Sequence, residues 1–535
     1  MKGLPSGKTA WGIGGLWSGG RKLFDKVGDE RNNDLKSHIA DIVTNIEREL
    51  YTTQPPWCDY IGVTCGNITG SSLYASVLSI DLKSLKLTGS LPTMIGEFKN
   101  LISFDVSKNT LKGRIPNTIS GWGDTCTYLD FSSNKIFSTI PSVLGTFSTL
   151  KYLDLSTNNI MGTVPKELSS CSSLEYLNLH YNSLTGSLPS TVFSLKNLKT
   201  MDFGSNLLVG NIPELDAMTH LSVLNLAANS LTGNIPRSIG DASHLEELSL
   251  SYNSLYGTIP NSIGMLTRMR YLECSGNSIT GSLPKELGFL KNILWIGLGN
   301  NRISGSIPNE LTFLQNMTYL YLSENSLERN IPNEFGQLTN LVNLFLDSNR
   351  LTGTVPASIG QMTSLTWMLA GNNRLSGTLP STFSSLSQLN VLSLSDNRLK
   401  GTLTGHFNNM VNLSSLALNG NIFTGPIPET LGSLLTLADV SLNDNQLSGI
   451  LPGDLSRLSR LTRLNLENNY LTMGSSLTTI PTDTFSNTTL YGDLNLNRNC
   501  LIFSSPKMGS AEVHATHCRV TLGVNATSKI VTILN

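Results

Sequence analysis

Residues Leu150-Lys-Tyr-Leu153-Asp-Leu155-Ser-Thr-Asn158-Asn-Ile160-Met-Gly162-Thr-Val164-Pro165 are followed 24 positions later by Leu174-Glu-Tyr-Leu177-Asn-Leu179-His-Tyr-Asn182-Ser-Leu184-Thr-Gly186-Ser-Leu188-Pro189. The stretches agree at the leucines, the asparagine, the glycine and the proline. Outward from them, the asparagine recurs at 109, 134, 158, 182, 206 and 229, then every 24 residues to 469, and last at 499. With Leu85 in the asparagine place of an opening unit, the chain carries 18 repeats. A period in this range marks a solenoid. No unit so short can bury its own apolar face, so neighbours must stack into one continuous core.

Each position has a physical reading. Leu150, Leu153 and Leu155 point inward from a short strand, and Tyr152, Asp154, Ser156 and Thr157 face outward on a concave parallel sheet. The asparagine column lies where the chain leaves that strand. An amide there can hydrogen-bond backbone groups of its own and adjacent turns, which burial would otherwise leave unsatisfied. The Gly-x-[Ile/Leu/Val]-Pro element adds a second, narrow strand and a turn, where the missing proline donor is tolerated. Ser138 and Arg329 replace the glycine, Thr404 replaces the proline, and six extra residues separate Asn469 from Asn499.

Length and charge exclude several classes. At about 100–200 residues per domain, 535 residues would suggest about three domains, but the repeats merge them into one solenoid. Lys+Arg number 37 and Asp+Glu 38, for a net charge of -1, so no basic surface for nucleic acid is expected. No run approaches the roughly 18 apolar residues of a membrane span. Neither a kinase glycine-rich loop nor an H-R-D segment is present, and no H-E-x-x-H or C-x-x-C site calls for a metal or cofactor.

The pattern L-x-x-L-x-L-x-x-N-x-L-x-G-x-[ILV]-P resembles the plant-specific type of leucine-rich repeat, found in receptor-kinase ectodomains and polygalacturonase-inhibiting proteins, from about Val77 to Leu501. The resemblance implies an α/β solenoid wound as a right-handed superhelix, closed by disulfide caps. The expected organisation is a Gly-rich, basic N-terminal arm (1–32), a helical N-terminal cap (33–76), the repeats (77–489), and the last repeat with a C-terminal cap (490–535). Apolar residues at helical spacing over 33–50 predict one amphipathic helix lying over the first repeat. Trp57-Cys58-Asp-Tyr-Ile-Gly-Val-Thr-Cys65 resembles the family's N-terminal cap motif, and Cys500 and Cys518 resemble its C-terminal pair. The resemblance therefore implies Cys58–Cys65 and Cys500–Cys518 disulfides. Cys126, Cys171 and Cys274 stand in leucine places and are expected to be buried thiols.

Sequons at Asn67, Asn316, Asn412, Asn487 and Asn525 join the cap cysteines in favouring a secreted, extracellular or cell-wall glycoprotein. No signal peptide is visible, and a processed or incomplete N-terminus reconciles the two observations.

Function is expected on positions the scaffold does not need. Six residues before the ladder asparagines stand Tyr128, Tyr152 and Tyr176, then Tyr271, Trp295 and Tyr319, with Trp367 further on. Neighbouring outward positions add His180, Tyr181, Tyr252, Tyr321 and Phe345. Fourteen acids, among them Asp130, Asp154, Glu273 and Asp347, face four bases on this surface, which makes it locally acidic. Aromatic faces stack on sugars or hold cations, and carboxylates pair with Lys, Arg or hydroxyls. The expectation is a non-enzymatic extracellular recognition module binding a peptide, protein or polysaccharide there. The alternative is a structural secreted glycoprotein that self-assembles into cell-wall or filamentous material through the Gly/Trp arm. A glycosidase is disfavoured, because an open sheet gives paired carboxylates no desolvation.

Overall fold

In the computed structural model the structure describes residues 62–67, 75–472 and 493–495. The N-terminal arm, the helix over 33–50, Cys58, Cys500, Cys518, Asn487 and Asn525 lie outside the described residues. The concave side is a single 19-stranded sheet. Its first strand, Val63–Asn67, pairs antiparallel with Ala75–Asp81. From Ala75–Asp81 on, every strand is parallel to the next, one per repeat, ending at Asp493–Asn495. Eighteen parallel strands for 18 repeats is the expected solenoid.

One repeat shows how the residues build it. Tyr152–Asp154 forms the concave strand, Asn159–Gly162 the narrow strand, and Lys166–Ser170 a 3-10 turn. Pro165 precedes that turn with φ -70° and ψ 132°, the extended geometry its ring fixes. Leu150, Leu153, Leu155 and Leu168 are fully buried and join the single core that runs the length of the described solenoid. The 25-residue repeat from 109 to 134 accommodates its extra residue by burying Trp122, whose indole donates to the Ile95 carbonyl (2.9 Å) and packs on Phe104.

The asparagine ladder works across repeats. The Asn158 amide donates to the carbonyl of Phe131 in the previous repeat (2.9 Å) and to those of Leu155 and Ser156 in its own. Its Oδ1 accepts the Ile136 N–H, again from the previous repeat (2.9 Å). The same pattern recurs from Asn109 to Asn469.

Two backbone columns adopt positive φ. The narrow-strand glycines form one, exemplified by Gly162 at +80°, and the substitutes Ser138 (98°) and Arg329 (68°) are held there too. The second column is the residue just before each ladder asparagine, among them Thr157, Tyr181 and Tyr252.

Cys126, Cys171 and Cys274 are free and buried, as the leucine places require. Burial pushes the Cys126 thiol up to about 12 and the Cys171 thiol to about 11. Cys65 is disulfide-bonded, and Cys58, the partner that the resemblance implies, lies outside the described residues.

Asn158→Ala should destabilise by about 2–4 kcal/mol, because buried groups on two repeats lose their partners at about 1–3 kcal/mol each. Ser138→Gly should stabilise by about 0.5–1 kcal/mol, the left-handed strain relieved less the added chain entropy of glycine. Denaturant titration checks both signs. Iodoacetamide at about pH 8 should label Cys126, Cys171 and Cys274 only after unfolding, since the thiolate is the nucleophile; peptide mapping reads this directly.

Candidate recognition surface

The register of the concave sheet sets the aromatic residues side by side. Tyr128, Tyr152 and Tyr176 are direct partners on three successive strands. Their rings stack at 4.4 and 4.3 Å between centroids, within 10° of parallel. Tyr271, Trp295 and Tyr319 repeat the arrangement, with the indole and the Tyr319 ring 3.4 Å apart. Phe345 meets Tyr319, Tyr321 and Trp367 edge-on, which extends the second platform. Thr200, Val223 and Glu247 occupy the same column between the platforms. At about 4.8 Å per strand, that gap spans roughly 19 Å.

The acids divide into two kinds. Asp130 and Asp154 do not face outward as expected; they are only 4% and 6% exposed. Each folds back to accept the N–H two residues on, from Ser132 (2.9 Å) and Ser156 (2.8 Å). The tyrosine hydroxyls donate to the remaining oxygens, Tyr128 to Asp130 and Tyr152 to Asp154. The same backbone bond is made by Asp105, Asn178, Asp202 and Asn225. This is a local Asx turn that competes with extended backbone at the strand end. The spacing of Asp and Asn at one column is the signal for it, and reading those acids as free contact groups misses it. Burial raises both carboxyls above the usual range, partly offset by the serine hydrogen bonds.

Glu273 and Asp347 remain half-buried at the surface. Glu273 accepts from the Trp295 indole (2.8 Å), which fixes the ring at the centre of its platform. Asp347 accepts from Ser323. Two of the four concave bases are already paired: Lys83 with Asp105, and Arg463 with Asp439. Burial pushes the Tyr271 and Tyr319 phenols up to about 12.

His180 and Tyr181 share the repeat of Tyr176 at the end of the first platform, and Tyr252 stands in the repeat just before Tyr271. The His180 Nδ1 is 3.1 Å from Asp202, and Tyr181 and Tyr252 are 63% and 69% exposed. Both tyrosines sit in the left-handed column, at φ 54° and 53°. That conformation costs on the order of 1–3 kcal/mol for a bulky side chain. The sequon residues Asn316 and Asn412 are exposed on the opposite rim, where their amides donate to the Lys291 and Ser387 carbonyls. Asn67 lies in the first strand. Among the described residues no group of His, Cys, Asp and Glu could hold a metal ion, and no helix is long and apolar enough to cross a membrane.

The parallel concave sheet, the interrepeat asparagine ladder and the proline-led turns define a leucine-rich-repeat solenoid. The chain belongs to the leucine-rich-repeat proteins, and its solenoid is of the kind built by plant receptor-kinase ectodomains. The leucine rich repeat family matches residues 125–184, 219–279 and 363–423, and again 316–338 and 340–362. A curated relative, the LRR receptor-like serine/threonine-protein kinase GSO2 of Arabidopsis thaliana, is 36% identical over 102 residues, 19% of this chain and 8% of its own length. The solved ectodomain of the receptor kinase GASSHO1/SCHENGEN3 from Arabidopsis thaliana, in complex with Casparian strip integrity factor 2, is 32% identical with a TM-score of 0.69. That match covers 79% of this chain and 53% of the ectodomain. A TDR receptor structure matches at 32% identity and a TM-score of 0.71, covering 76% of this chain and 70% of its own. The Arabidopsis receptor kinase HAESA, in complex with the peptide hormone IDA and the co-receptor SERK1, matches at 29% identity and a TM-score of 0.65, over 86% and 84%.

His180 should titrate above its ordinary value of 6.5, because the hydrogen bond with Asp202 favours the cation more than partial burial opposes it. A folded pKa raised above the unfolded one contributes stability that is full below about 6.5 and disappears as pH rises through the folded value. An NMR titration of the ring should show the raised midpoint, and Asp202→Asn should bring it down. A midpoint at or below 6.5 in the intact chain would remove the pair from the site.

Proposed function

We propose that the chain is an extracellular recognition module that binds a peptide or a protein segment on its concave face. The observation that carries this is the placement of Tyr181 and Tyr252, exposed at the facing ends of two stacked aromatic platforms, in a column whose side chain the turn does not dictate. Neither ring contributes to the core, so folding gives no reason for either. Exposed aromatic groups of this kind form the anchors of interfaces. An extended segment crossing the sheet would lay side chains on both platforms, with Asp202 and Glu247 beneath a cationic residue in the gap. The solved neighbours support the reading, since their complexes hold Casparian strip integrity factor 2 and the peptide hormone IDA. Catalysis finds no support in the geometry. The buried Asp130 and Asp154 are committed to turn and tyrosine hydrogen bonds, and the sheet around them is open.

Panning the intact chain against an arrayed library of basic, neutral and acidic peptides, alongside neutral glycans, tests the reading. Basic peptides with aromatic residues are the expected ligands. The Tyr181→Ala and Tyr252→Ala variants should each bind more weakly by about 1–3 kcal/mol, with an unchanged melting temperature. Leu153→Ala should instead lose about 2–5 kcal/mol of stability, as a truncated core leucine does. Retention of glycans alone, or binding indifferent to both tyrosines, would overturn the proposal.

A further inference from the structure

The narrow sheet on the other side of the solenoid carries the opposite charge. The residue after each ladder asparagine leads into the narrow strand, and in four of five successive repeats it is arginine: Arg302, Arg350, Arg374 and Arg398. The repeat between the first two has Ser326 in that place, but Arg329 lies on the same strand, Ser326–Asn330. Adjacent strands lie about 4.8 Å apart, so the four arginines of this column span about 20 Å, with Arg329 three residues along the strand from the gap at Ser326. All five arginines are exposed, and none forms an ion pair among the described residues. Glu328 stands opposite Arg350 in the strand register.

The surface is also shaped. Arg329, Arg350 and Arg374 line a cleft with Glu328 and Thr352. Arg329 and Thr352 also line a wider cleft of about 870 Å³, whose walls are mostly polar, with Pro308 at its surface and Ile307 and Ile331 buried beneath. Lys285, Glu310 and Glu334 stand around that second cleft. Five unpaired guanidiniums side by side repel one another, and Arg is the side chain best matched to carboxylates through its bidentate fork. A chain with a net charge of -1 gains no solubility from such a row.

We propose that this lateral face is a second binding surface, and that it takes an acidic segment of a partner polypeptide. Carboxylates of the segment pair with Arg329, Arg350 and Arg374. An apolar residue at one end enters the neighbouring cleft against Pro308, the one apolar side chain of its lining that is not buried. That cleft is what selects a polypeptide over an acidic glycan: a uniform polyanion has no apolar group for Pro308, and its charges meet Glu310 and Glu334. The surface is independent of the concave face, so either can fail alone.

The test uses the full chain and a fluorescein-labelled peptide of about eight glutamates ending in Leu-Phe, with fluorescence anisotropy as readout. The same peptide without Leu-Phe, and a linear polyuronate, serve as comparisons. The peptide should bind more weakly as salt rises, and more tightly than either comparison. Arg350→Glu combined with Arg374→Glu should reduce binding by at least about tenfold, since two charge-assisted contacts become repulsive. Arg350→Gln with Arg374→Gln, which keeps the stems, should give an intermediate loss. Circular dichroism melts should show all variants folded, because these side chains lie outside the core. Binding unchanged by charge reversal, or a polyuronate that binds as tightly as the Leu-Phe peptide, would overturn the proposal.

Discussion

Each ladder asparagine ties two repeats together, and the rest of the solenoid depends on that bond pattern. A parallel strand three residues long is too short to hold a neighbour by itself. The asparagine adds bonds at the point where each chain segment turns away from the sheet. Its Oδ1 and its amide both reach the preceding repeat, so no repeat satisfies its own buried groups without its neighbour. Cohesion in such a molecule is therefore a sum over adjacent pairs. The apolar side chains supply the magnitude of the stabilisation, and the asparagines fix the register in which it is collected.

On that frame, folding and recognition divide the residues cleanly in some columns and share them in others. The leucine columns belong to the core. Tyr181 and Tyr252 belong to the surface. The Tyr128–Tyr152–Tyr176 stack lies between, with one face on its neighbours, hydroxyls on buried carboxyls, and the outer edge half-exposed. Truncating Tyr152 would expose Asp154 as well as remove a ring, so stability and binding cannot be separated there. They can be separated at Tyr252.

The fold was legible in the sequence because the period imposes the same demand 18 times over, so the register of strands, turns and core follows from a few positions. The aromatic platforms were legible for the same reason: six residues before an asparagine always lands on the concave face. The acid column was not. Asp130 and Asp154 occupy outward positions by strand alternation, yet the carboxylate is short enough to turn back on its own backbone, and alternation says nothing of that. The role of Trp122 escaped too, because its repeat carries an extra residue and the periodic template has no place for it. The arginines were visible as letters, but only stacking shows that they share one face and have a cleft beside them.

The left-handed column before each asparagine has a further consequence. Its backbone conformation is imposed by the turn whatever side chain is present, so Ser, Thr, Ala, Tyr, Glu and Asp all occupy it at φ close to 55°. The strain is then nearly a constant of the architecture, and the identity of the side chain is left almost without structural content. Such a column works as a row of interchangeable display slots, one per repeat, at fixed spacing along the inner surface. A solenoid of this length can rewrite what it presents there one letter at a time, each change leaving the spacing of all the others untouched.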